Sequence, residues 1–395
     1  MKKYNIVYLT TYIDKNLEKK ILLPYTSAGL NKKNEMLELL KDYNVNIIFV
    51  SIFTRLSKVF IRSFKKQVND SILHIPFFTK LPLMNYLINP LFITYELFKL
   101  NKKKKIECII LYNSVYENVI PSYIFKLFNK NVKIIIQYED GWSISTSGIK
   151  GLIYKFSHKV GEYISSAAII NSTTFKEIFH VDNYFVFRGN ISSISEYTYN
   201  CFLEERKNIL FSSSIDSIRG VELLINLFNT TQDKYIMNKF IFHITGKGED
   251  NICKKLEESI VKYCNNGGQA IYYGYVSKEK LNELYLKADI LLALQKPDLE
   301  FSKYCFPSKI FEYYKYNKPI ITTNISDLSS DTFFNLIFIK YSESSLRKKL
   351  SIINEKYNYY YSLNIDNSSK LFELYSLENN KKEFKNFIRK VIEKN

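Results

Sequence analysis

The sequence predicts an α/β protein built from two doubly wound parallel sheets. Short apolar runs recur along the chain with helical patterns between them, as in strands joined by crossover helices. Most of these runs are continuous, which indicates strands buried on both faces beneath covering helices. The chain also has 395 residues, more than one hydrophobic core usually supports. We therefore expect two Rossmann-like domains that face a central cleft.

The first domain is expected over residues 1–200 and the second over residues 201–395, with a polar linker near residues 190–207. The last predicted helix, residues 381–394, fits either domain. Predicted strands of the first domain lie near residues 6–9, 46–50, 108–112, 133–137, 167–171 and 185–187. Those of the second lie near residues 209–212, 240–245, 270–273, 290–294, 319–322 and 336–339. Predicted helices separate the second series at residues 221–228, 251–263, 278–287 and 308–316.

The most informative segment lies between two of these strands, at the start of the helix predicted over residues 308–316. Pro307 and Ser308 suit a helix start, where free backbone N–H groups and the positive end of the helix dipole can bind phosphate. Glu312 lies one turn further on the same face, where a carboxylate can accept hydrogen bonds from the hydroxyls of a ribose. The alternative is that Ser308 is only a cap and Glu312 only a solvated residue.

The order Ala288-Asp-Ile, Pro307-Ser-Lys-Ile-Phe-Glu-Tyr, Lys318-Pro-Ile-Ile resembles glycosyltransferase family four, particularly its bacterial surface-polysaccharide members. Other segments are similar to the same family: Arg219-Gly-Val-Glu-Leu-Leu after a strand, Gly246-Lys-Gly248 at a strand end, and Gly274-Tyr275-Val276 at a turn. The resemblance covers roughly residues 208–324, and the N-terminal half is only loosely similar. It implies the GT-B fold, with the nucleotide-sugar donor held mainly by the second domain.

The resemblance also implies roles for single residues. Glu312 would bind the donor ribose, and Arg219 would neutralise the diphosphate as the glycosidic bond breaks. Lys309 is a further candidate for that charge, and Tyr275 and Val276 for the donor base. Gly246 and Gly248 would let the backbone approach the donor, although a plain tight turn explains a lone G-x-G equally well.

Two positions depart from the family pattern. Tyr304 stands where many members carry a second glutamate that touches the donor sugar, and the nearby Glu300 is out of register. Ser214 stands where the family often has another arginine. The donor sugar and the phosphate geometry are therefore left open.

Candidates in the first domain follow its predicted strands. Gly29, in Ser27-Ala-Gly, is similar to the family's glycine-bearing loop near the diphosphate. Glu139 and Asp140 follow a strand, where doubly wound sheets bind ligands, and Asp140 is the candidate that orients or deprotonates an acceptor hydroxyl. The alternative is a turn aspartate before a glycine. Arg188 ends the last strand and is expected to face the cleft.

The charge of the chain favours an anionic partner. Its net charge of +17 suits nucleotide diphosphates or acidic lipids, although a composition bias toward Lys and Asn explains part of it. Residues 52–66 are predicted to form a basic amphipathic helix that lies on anionic lipid, and residues 102–105 add four consecutive lysines. The alternatives are a helix packed on its own sheet and a solvated loop. We expect a cytoplasmic protein, peripheral at the inner face of the membrane.

Together these features predict transfer of a sugar, of the hexosyltransferase class, from a nucleotide donor such as a UDP-sugar to a surface polysaccharide or lipid-linked oligosaccharide. The resemblance implies retention of configuration without a metal or other cofactor, and the chain has no clustered D-x-D motif. Its five cysteines form no C-x-x-C pair, so neither a disulfide framework nor a zinc site is indicated. The alternatives are a sugar-nucleotide 2-epimerase, which four histidines outside any catalytic pattern disfavour, and a nucleic-acid-binding protein, for which no module is present.

Overall fold

The computed structural model describes residues 3–21, 27–50, 60–79, 81, 84–139, 146–178, 180, 182–191, 205–330 and 335–394. The chain divides into two compact units, Met1–Gly189 with Asn380–Asn395, and Asn190–Asn379. The sequence analysis placed the boundary after residue 200, in a stretch outside the described residues. In the structure the chain enters the second unit at Asn190, and its last residues return to the first.

The first unit contains an eight-stranded sheet with the order β10-β9-β8-β7-β1-β2-β5-β4. All neighbouring strands are parallel except β4 and β5. The eight strands are β1 (Asn5–Thr10), β2 (Asn44–Phe49), β4 (Phe64–Val68), β5 (Ser71–Ile75), β7 (Cys108–Tyr112), β8 (Lys133–Tyr138), β9 (Ala167–Ile170) and β10 (Tyr184–Val186). Two further strands, β3 (Phe60–Ile61) and β6 (Phe78–Thr79), form a separate two-stranded sheet. The helices are α1 (Lys15–Ile21), α2 (Ser27–Leu39), α3 (Met84–Lys103), α4 (Tyr116–Phe128) and α5 (Gly148–Ile164), with a 3₁₀ turn at Thr173–Glu177.

The predicted basic helix over residues 52–66 is wrong where the structure describes it. Residues 60–61 form β3, which pairs with β6, and residues 64–68 form β4. A turn at Asn69 and Asp70, with Asn69 in the left-handed region at φ 49°, folds β4 back on β5. The hairpin fixes an alternating pattern in which Lys65 is exposed and Val68 is buried. Residues 51–59 lie outside the described residues.

The second unit contains a six-stranded, wholly parallel sheet with the order β13-β12-β11-β14-β15-β16. Its strands are β11 (Lys207–Ser212), β12 (Phe240–Thr245), β13 (Gln269–Tyr272), β14 (Ile290–Ala293), β15 (Ile320–Thr323) and β16 (Leu336–Ile339). Its helices are α6 (Val221–Thr230), α7 (Lys234–Lys239), α8 (Asp250–Asn265), α9 (Lys278–Lys287), α10 (Glu300–Lys303), α11 (Lys309–Tyr314), α12 (Glu343–Glu355) and α13 (Tyr357–Tyr375). The predicted strands of this half all occur, each within two residues of its predicted ends.

The last helix, α14 (Leu377–Glu393), joins the core of the first unit through aromatic side chains. Phe384 and Phe387 are buried, and their rings lie 5.6 and 5.7 Å from the ring of Phe185 next to the sheet. Burial of such side chains contributes about 1.5–3 kcal/mol each. The C-terminal end of the chain is therefore fastened to the first sheet.

None of the helices in the described ranges combines the length and apolar character that crossing a bilayer requires.

Candidate functional site

Arg219 and the helix that carries Lys309 and Glu312 lie where the strand order of the second sheet reverses, between β11 and β14. In open α/β sheets, ligands bind beyond the carboxyl ends of the strands at such a reversal. Here the chain segments that follow the two strands touch, because the backbone N–H of Lys296 donates to the carbonyl of Ile218 over 2.9 Å. A Cβ on Gly220, at φ 86°, would stand 1.7 Å from the carbonyl oxygen of Leu294. Only glycine fits there, and it sets the position of the residue before it.

Arg219 is that residue, and its guanidinium is held across the strand reversal. Its backbone N–H donates to Asp216 Oδ1 over 2.8 Å, and its Nη1 donates to Oε1 of Gln295 over 2.7 Å. Gln295 is buried and in turn donates to Ser302 Oγ over 3.1 Å. Its side-chain partner is a neutral amide, and no ion pair with a carboxylate of the described residues is formed, so the guanidinium charge is available to an anion.

Helix α11 is fixed to the ends of both strands by a buried tyrosine. The hydroxyl of Tyr313 contacts the carbonyls of Ser212, which ends β11, and of Leu292 in β14, at 3.3 and 3.0 Å. Ile310, Phe311 and Tyr314 are buried around it. This packing leaves Lys309 and Glu312 on the remaining face of the helix, with 34% and 38% of their side chains exposed.

Lys309 and Glu312 form an ion pair that continues into the sheet. Lys309 Nζ lies 2.7 Å from Glu312 Oε2 and 3.1 Å from the hydroxyl of Tyr285, which itself donates to Ser212 Oγ over 3.2 Å. Burial, reinforced by the Glu312 carboxylate, raises the pKa of Tyr285 well above its usual value. Tyr285 is therefore a neutral hydroxyl that orients Lys309, and Glu312 is a partly solvated ion-pair partner of that lysine.

Ser308 lies at the N-cap position, exposed and in the α region at φ −54° and ψ −22°. Its hydroxyl makes no capping bond to the helix, so the helix start does not consume it. The helix predicted over residues 308–316 is shorter, from Lys309 to Tyr314. It ends early because the chain turns at Asn317, which adopts the left-handed region at φ 53°.

Gly246 and Gly248 lie at the same edge, after β12, but their hydrogens face protein. A Cβ on Gly246 would stand 1.7 Å from the carbonyl oxygen of Ser213, and one on Gly248 would stand 1.8 Å from that of Ile215. The two glycines let the segments after β11 and β12 run side by side, as the 3.1 Å bond from Ile215 N–H to the Lys247 carbonyl requires. Close approach to the neighbouring backbone is thus sufficient reason for glycine here, and approach to a donor stays a prediction.

The turn after β13 presents Tyr275 to solvent. Gly274 adopts φ 62°, and its carbonyl accepts bonds from Thr245 Oγ1 and Gly246 N–H at 2.8 and 2.9 Å. Tyr275 is 74% exposed, and Val276 beside it is partly buried. An exposed aromatic ring at the carboxyl edge of a sheet is suited to stacking on a flat ligand.

The positions that depart from the family pattern are arranged differently. Tyr304 is buried and cannot replace a carboxylate, and Glu300 pairs with Lys303 over 2.8 Å on α10. Ser214 is exposed. The second sugar-contacting glutamate of the family therefore has no carboxylate in its place at residue 304.

The first unit carries a polar cluster at the carboxyl edge of its own sheet. Glu139, which follows β8, is buried and accepts a 2.6 Å bond from Gln137 Nε2. Its backbone is held by Asn113 Oδ1 at 3.0 Å and by Asn171 Nδ2 at 2.5 Å. Burial raises the pKa of the Glu139 carboxyl, while Lys32 opposes that shift.

The remaining candidates of the first unit are Asp140, Gly29 and Arg188. Asp140 lies outside the described residues. Gly29 lies in the first turn of α2, so the loop predicted at this glycine is wrong, and helical hydrogen bonding explains why the segment does not stay irregular. Arg188 is buried, and its carbonyl accepts a 2.7 Å bond from Lys32 Nζ.

The sequence analysis missed several polar residues of both edges. Gln295 and Tyr285 in the second unit, and Asn113 and Asn171 in the first, have direct roles in these networks. Three of the four follow a strand by one or two residues, a signal that would have identified them. Tyr285 lies inside α9 and carries no such signal.

Metal ligation was also tested. Within the parts of the chain that the structure describes, no three His, Cys, Asp or Glu side chains are grouped to hold a metal ion. Metal independence therefore stays a prediction.

Comparison with known proteins bears on the family and the fold. Residues 206–335 match the family described as glycosyl transferases group 1. No curated protein sequence matches the chain significantly.

Solved structures match over nearly the whole chain. A glycosyltransferase from Rickettsia africae ESF-5 is 14% identical with a TM-score of 0.66, and the alignment covers 100% of both chains. Anabaena HepE in complex with UDP is 11% identical with a TM-score of 0.68, covering 97% of this chain and 99% of that one. The catalytic domain of starch synthase IV from Arabidopsis thaliana, bound to ADP and acarbose, is 9% identical with a TM-score of 0.68 and full coverage of both.

These similarities confirm the predicted GT-B fold with two Rossmann-like domains. The family match lies on the second unit and confirms the resemblance identified from the sequence. The chain is a glycosyltransferase.

Proposed function

We propose that the chain transfers a hexosyl group from a UDP-sugar to a hydroxyl of a surface polysaccharide or lipid-linked oligosaccharide, with retention of configuration and without a metal. The observation that carries the donor part is the pair of charges at the strand reversal. Arg219 offers a cation without a carboxylate partner among the described residues, and Glu312 offers a half-exposed carboxylate on the adjacent helix. A nucleoside diphosphate requires both a cation for phosphate and an acceptor for ribose hydroxyls.

The reaction follows from these charges. The bond between the anomeric carbon and the diphosphate oxygen breaks, and its electron pair leaves with UDP. Arg219 stabilises that negative charge, and Lys309, oriented by Tyr285, adds a second cation when the diphosphate draws it from Glu312. The acceptor oxygen bonds to the same face of the anomeric carbon, and its proton passes to the leaving phosphate.

The choice of uridine and of the acceptor rests on comparison and charge. Anabaena HepE was solved with UDP, and Arabidopsis starch synthase IV with ADP. Tyr275 supplies a ring on which a base can stack. The net charge of +17 suits an acceptor carried at an anionic surface, at the cytoplasmic face of the membrane. Asp140 is the proposed residue that orients the acceptor hydroxyl, and Gly29, Ser308, Gly246, Gly248 and Val276 complete the proposed donor contacts.

The test is a transfer assay. Purified protein is incubated with a panel of radiolabelled nucleotide sugars and a lipid-linked acceptor, with and without EDTA. We expect label from one UDP-sugar in the acceptor, unchanged by EDTA, and product with the donor's anomeric configuration. Epimerised sugar nucleotide in place of transfer would favour the epimerase alternative, and loss of transfer with EDTA would contradict metal independence.

A further inference from the structure

Helix α5 of the first unit turns its largest apolar side chains away from the protein. Ile149, Leu152, Phe156 and Tyr163 are 80%, 67%, 54% and 82% exposed. At the helical repeat these four lie within an arc of about 60°. In contrast, α8 of the second unit buries its apolar residues Leu256, Ile260 and Tyr263 in the usual way.

The face of α5 that packs on the protein is small. Gly151, Ser157 and Gly161 are its buried residues together with Ile164. A Cβ on Gly161 would stand 2.5 Å from Ser114 Oγ, and Ser114 Oγ donates to the carbonyl of Ser157 over 3.1 Å. The helix therefore lies close to its neighbours through small residues, and its outward apolar arc is not needed for that packing.

Helix α3 also has an arc of exposed apolar side chains. Met84, Leu87, Leu91 and Tyr95 are 42%, 66%, 62% and 60% exposed and lie within about 80° of arc. The opposite face buries both polar and apolar residues, among them Asn89, Ile93 and Leu97. Asn89 exchanges two bonds of 2.9 and 3.1 Å with the backbone of Thr79.

Helix α4 packs between α3 and α5, so the two arcs belong to one side of the first sheet. Phe128 at the end of α4 is 74% exposed, and its ring lies 5.7 Å from that of Phe98 in α3. We call the exposed apolar residues of these helices the outer face: Met84, Leu87, Leu91, Phe92, Tyr95, Leu127, Phe128, Ile149, Leu152, Phe156 and Tyr163. So large a set of exposed apolar side chains marks an interaction surface.

The charges around the outer face are positive. Its exposed charged residues are lysines, at positions 102–105, 130, 150, 155 and 159. Glu96 and Glu117 on the same helices are buried, and Glu162 is partly buried, 4.0 Å from His158. Alternating apolar and basic side chains suit a surface with apolar depth and negative headgroups.

We propose that the outer face of α3, α4 and α5 is the membrane-binding surface of this protein and lies on an anionic lipid bilayer. The inference extends the proposed function, in which a lipid carries the acceptor. A second copy of the chain fits less well, because a self-complementary interface on this face would bring lysines against lysines. The lysine run at residues 102–105 borders this surface, whereas residues 60–61 and 64–66 of the predicted basic helix lie in the strands β3 and β4.

The test is cosedimentation of the full chain with vesicles of phosphatidylcholine, with and without phosphatidylglycerol. We expect binding to the anionic vesicles that weakens with salt. L152Q/F156Q should lower the partition constant about tenfold or more, because both side chains leave apolar surroundings. K155Q/K159Q should lower it about tenfold on anionic vesicles only. V261Q and K254Q/K255Q on α8, also at exposed positions, are the matched controls and should bind as the wild type does.

Equal vesicle binding by L152Q/F156Q and the wild type would overturn the inference. So would equal binding of the wild type to vesicles with and without phosphatidylglycerol. So would a wild-type dimer in sedimentation velocity that the same variant dissociates, since a second copy would then occupy the face. Titration of each variant with UDP, which needs no membrane, reports separately on the proposed function.

Discussion

The carboxyl edges of the two sheets place their polar residues in different environments. In the second unit, Arg219, Lys309 and Glu312 are charged and partly solvated, and buried neighbours hold each of them in place. In the first unit, Glu139 is buried and its hydrogen bonds are with Gln137, Asn113 and Asn171. The second edge presents charged side chains that are partly open to solvent. In the described part of the first edge, the polar side chains bond to one another and to the backbone.

This difference indicates that the carboxyl edges of the two sheets have different roles. Phosphate recognition needs cations that are ordered before the ligand arrives but keep their charge, and a neutral partner such as Gln295 provides that condition for Arg219. A buried cluster such as that around Glu139 instead holds the end of β8 in place. We therefore expect substitutions at the second edge to act on donor chemistry and those at the first to act on stability.

The largest effect is expected for Arg219→Ala. Loss of the guanidinium should lower kcat/KM by about 10²–10³-fold, the range observed when one preorganised charge-stabilising group is removed. Arg347→Ala is the control, because Arg347 pairs with Glu343 on α12 at 3.0 Å and is far from the strand reversal in sequence. Steady-state kinetics on both variants check the prediction. A similar loss in both would mean that Arg219 acts only on folding.

A smaller effect is expected from acid, and it involves both units. Burial lowers the pKa of His243 and of His74 to about 4. Both are then neutral in the folded state, while in the unfolded chain they gain protons below about pH 6.5. The free energy of unfolding should therefore fall as the pH drops from 6.5 toward 4, by up to about 3 kcal/mol per histidine.

Urea titrations at pH 7.5 and 5.0 measure that slope. His243→Gln should reduce the loss in the second unit, where His243 bridges Asn208 and Tyr273 at 2.9 Å each. His180→Gln, at an exposed histidine, should leave the loss unchanged. An unchanged slope in His243→Gln would show that this histidine is not the group that titrates.

The smallest effect is expected for Glu139→Gln. Because burial raises the pKa of this carboxyl, its contribution to stability is present at low pH and is lost as the pH rises through its folded-state pKa. The amide should change the unfolding free energy by about 1 kcal/mol, remove that part of the pH dependence and leave UDP affinity unchanged. Denaturant titration and calorimetry check both statements. Lost UDP affinity would break the contrast between the two edges.

Most of the second unit could be predicted from the sequence, because its buried parallel strands are continuous apolar runs. The hairpin of β4 and β5 could not be. Lys65, Lys66 and Gln67 give no apolar pattern, and Phe60 and Phe64, which fit a helical spacing, lie in the strands β3 and β4. The pairing of β4 depends on the turn at Asn69 and on the neighbouring strand β5. The apolar periodicity of the segment itself carries no information about either.

The site was predictable in identity more than in contact. Arg219 and Glu312 stood out by motif, but the partner of Arg219 is Gln295, 76 residues away in sequence. For Gly246 and Gly248 the sequence left open a close approach to the donor or a plain tight turn, and the structure shows the carbonyls of Ser213 and Ile215 against them. A motif indicates which residues are candidates for the site. The fold then shows which neighbouring residues contact them.

The central claim is that the carboxyl edge of the second sheet binds the nucleotide through Glu312, and calorimetric titration with UDP tests it most directly. Glu312→Ala should weaken UDP binding by about 10- to 100-fold, the loss expected for charge-assisted hydrogen bonds, with unfolding unchanged because the carboxylate is half-exposed. Glu300→Ala removes the equivalent i,i+3 partner of Lys303 and should bind UDP as the wild type does. A folded Glu312→Ala variant with wild-type affinity for UDP would contradict the claim.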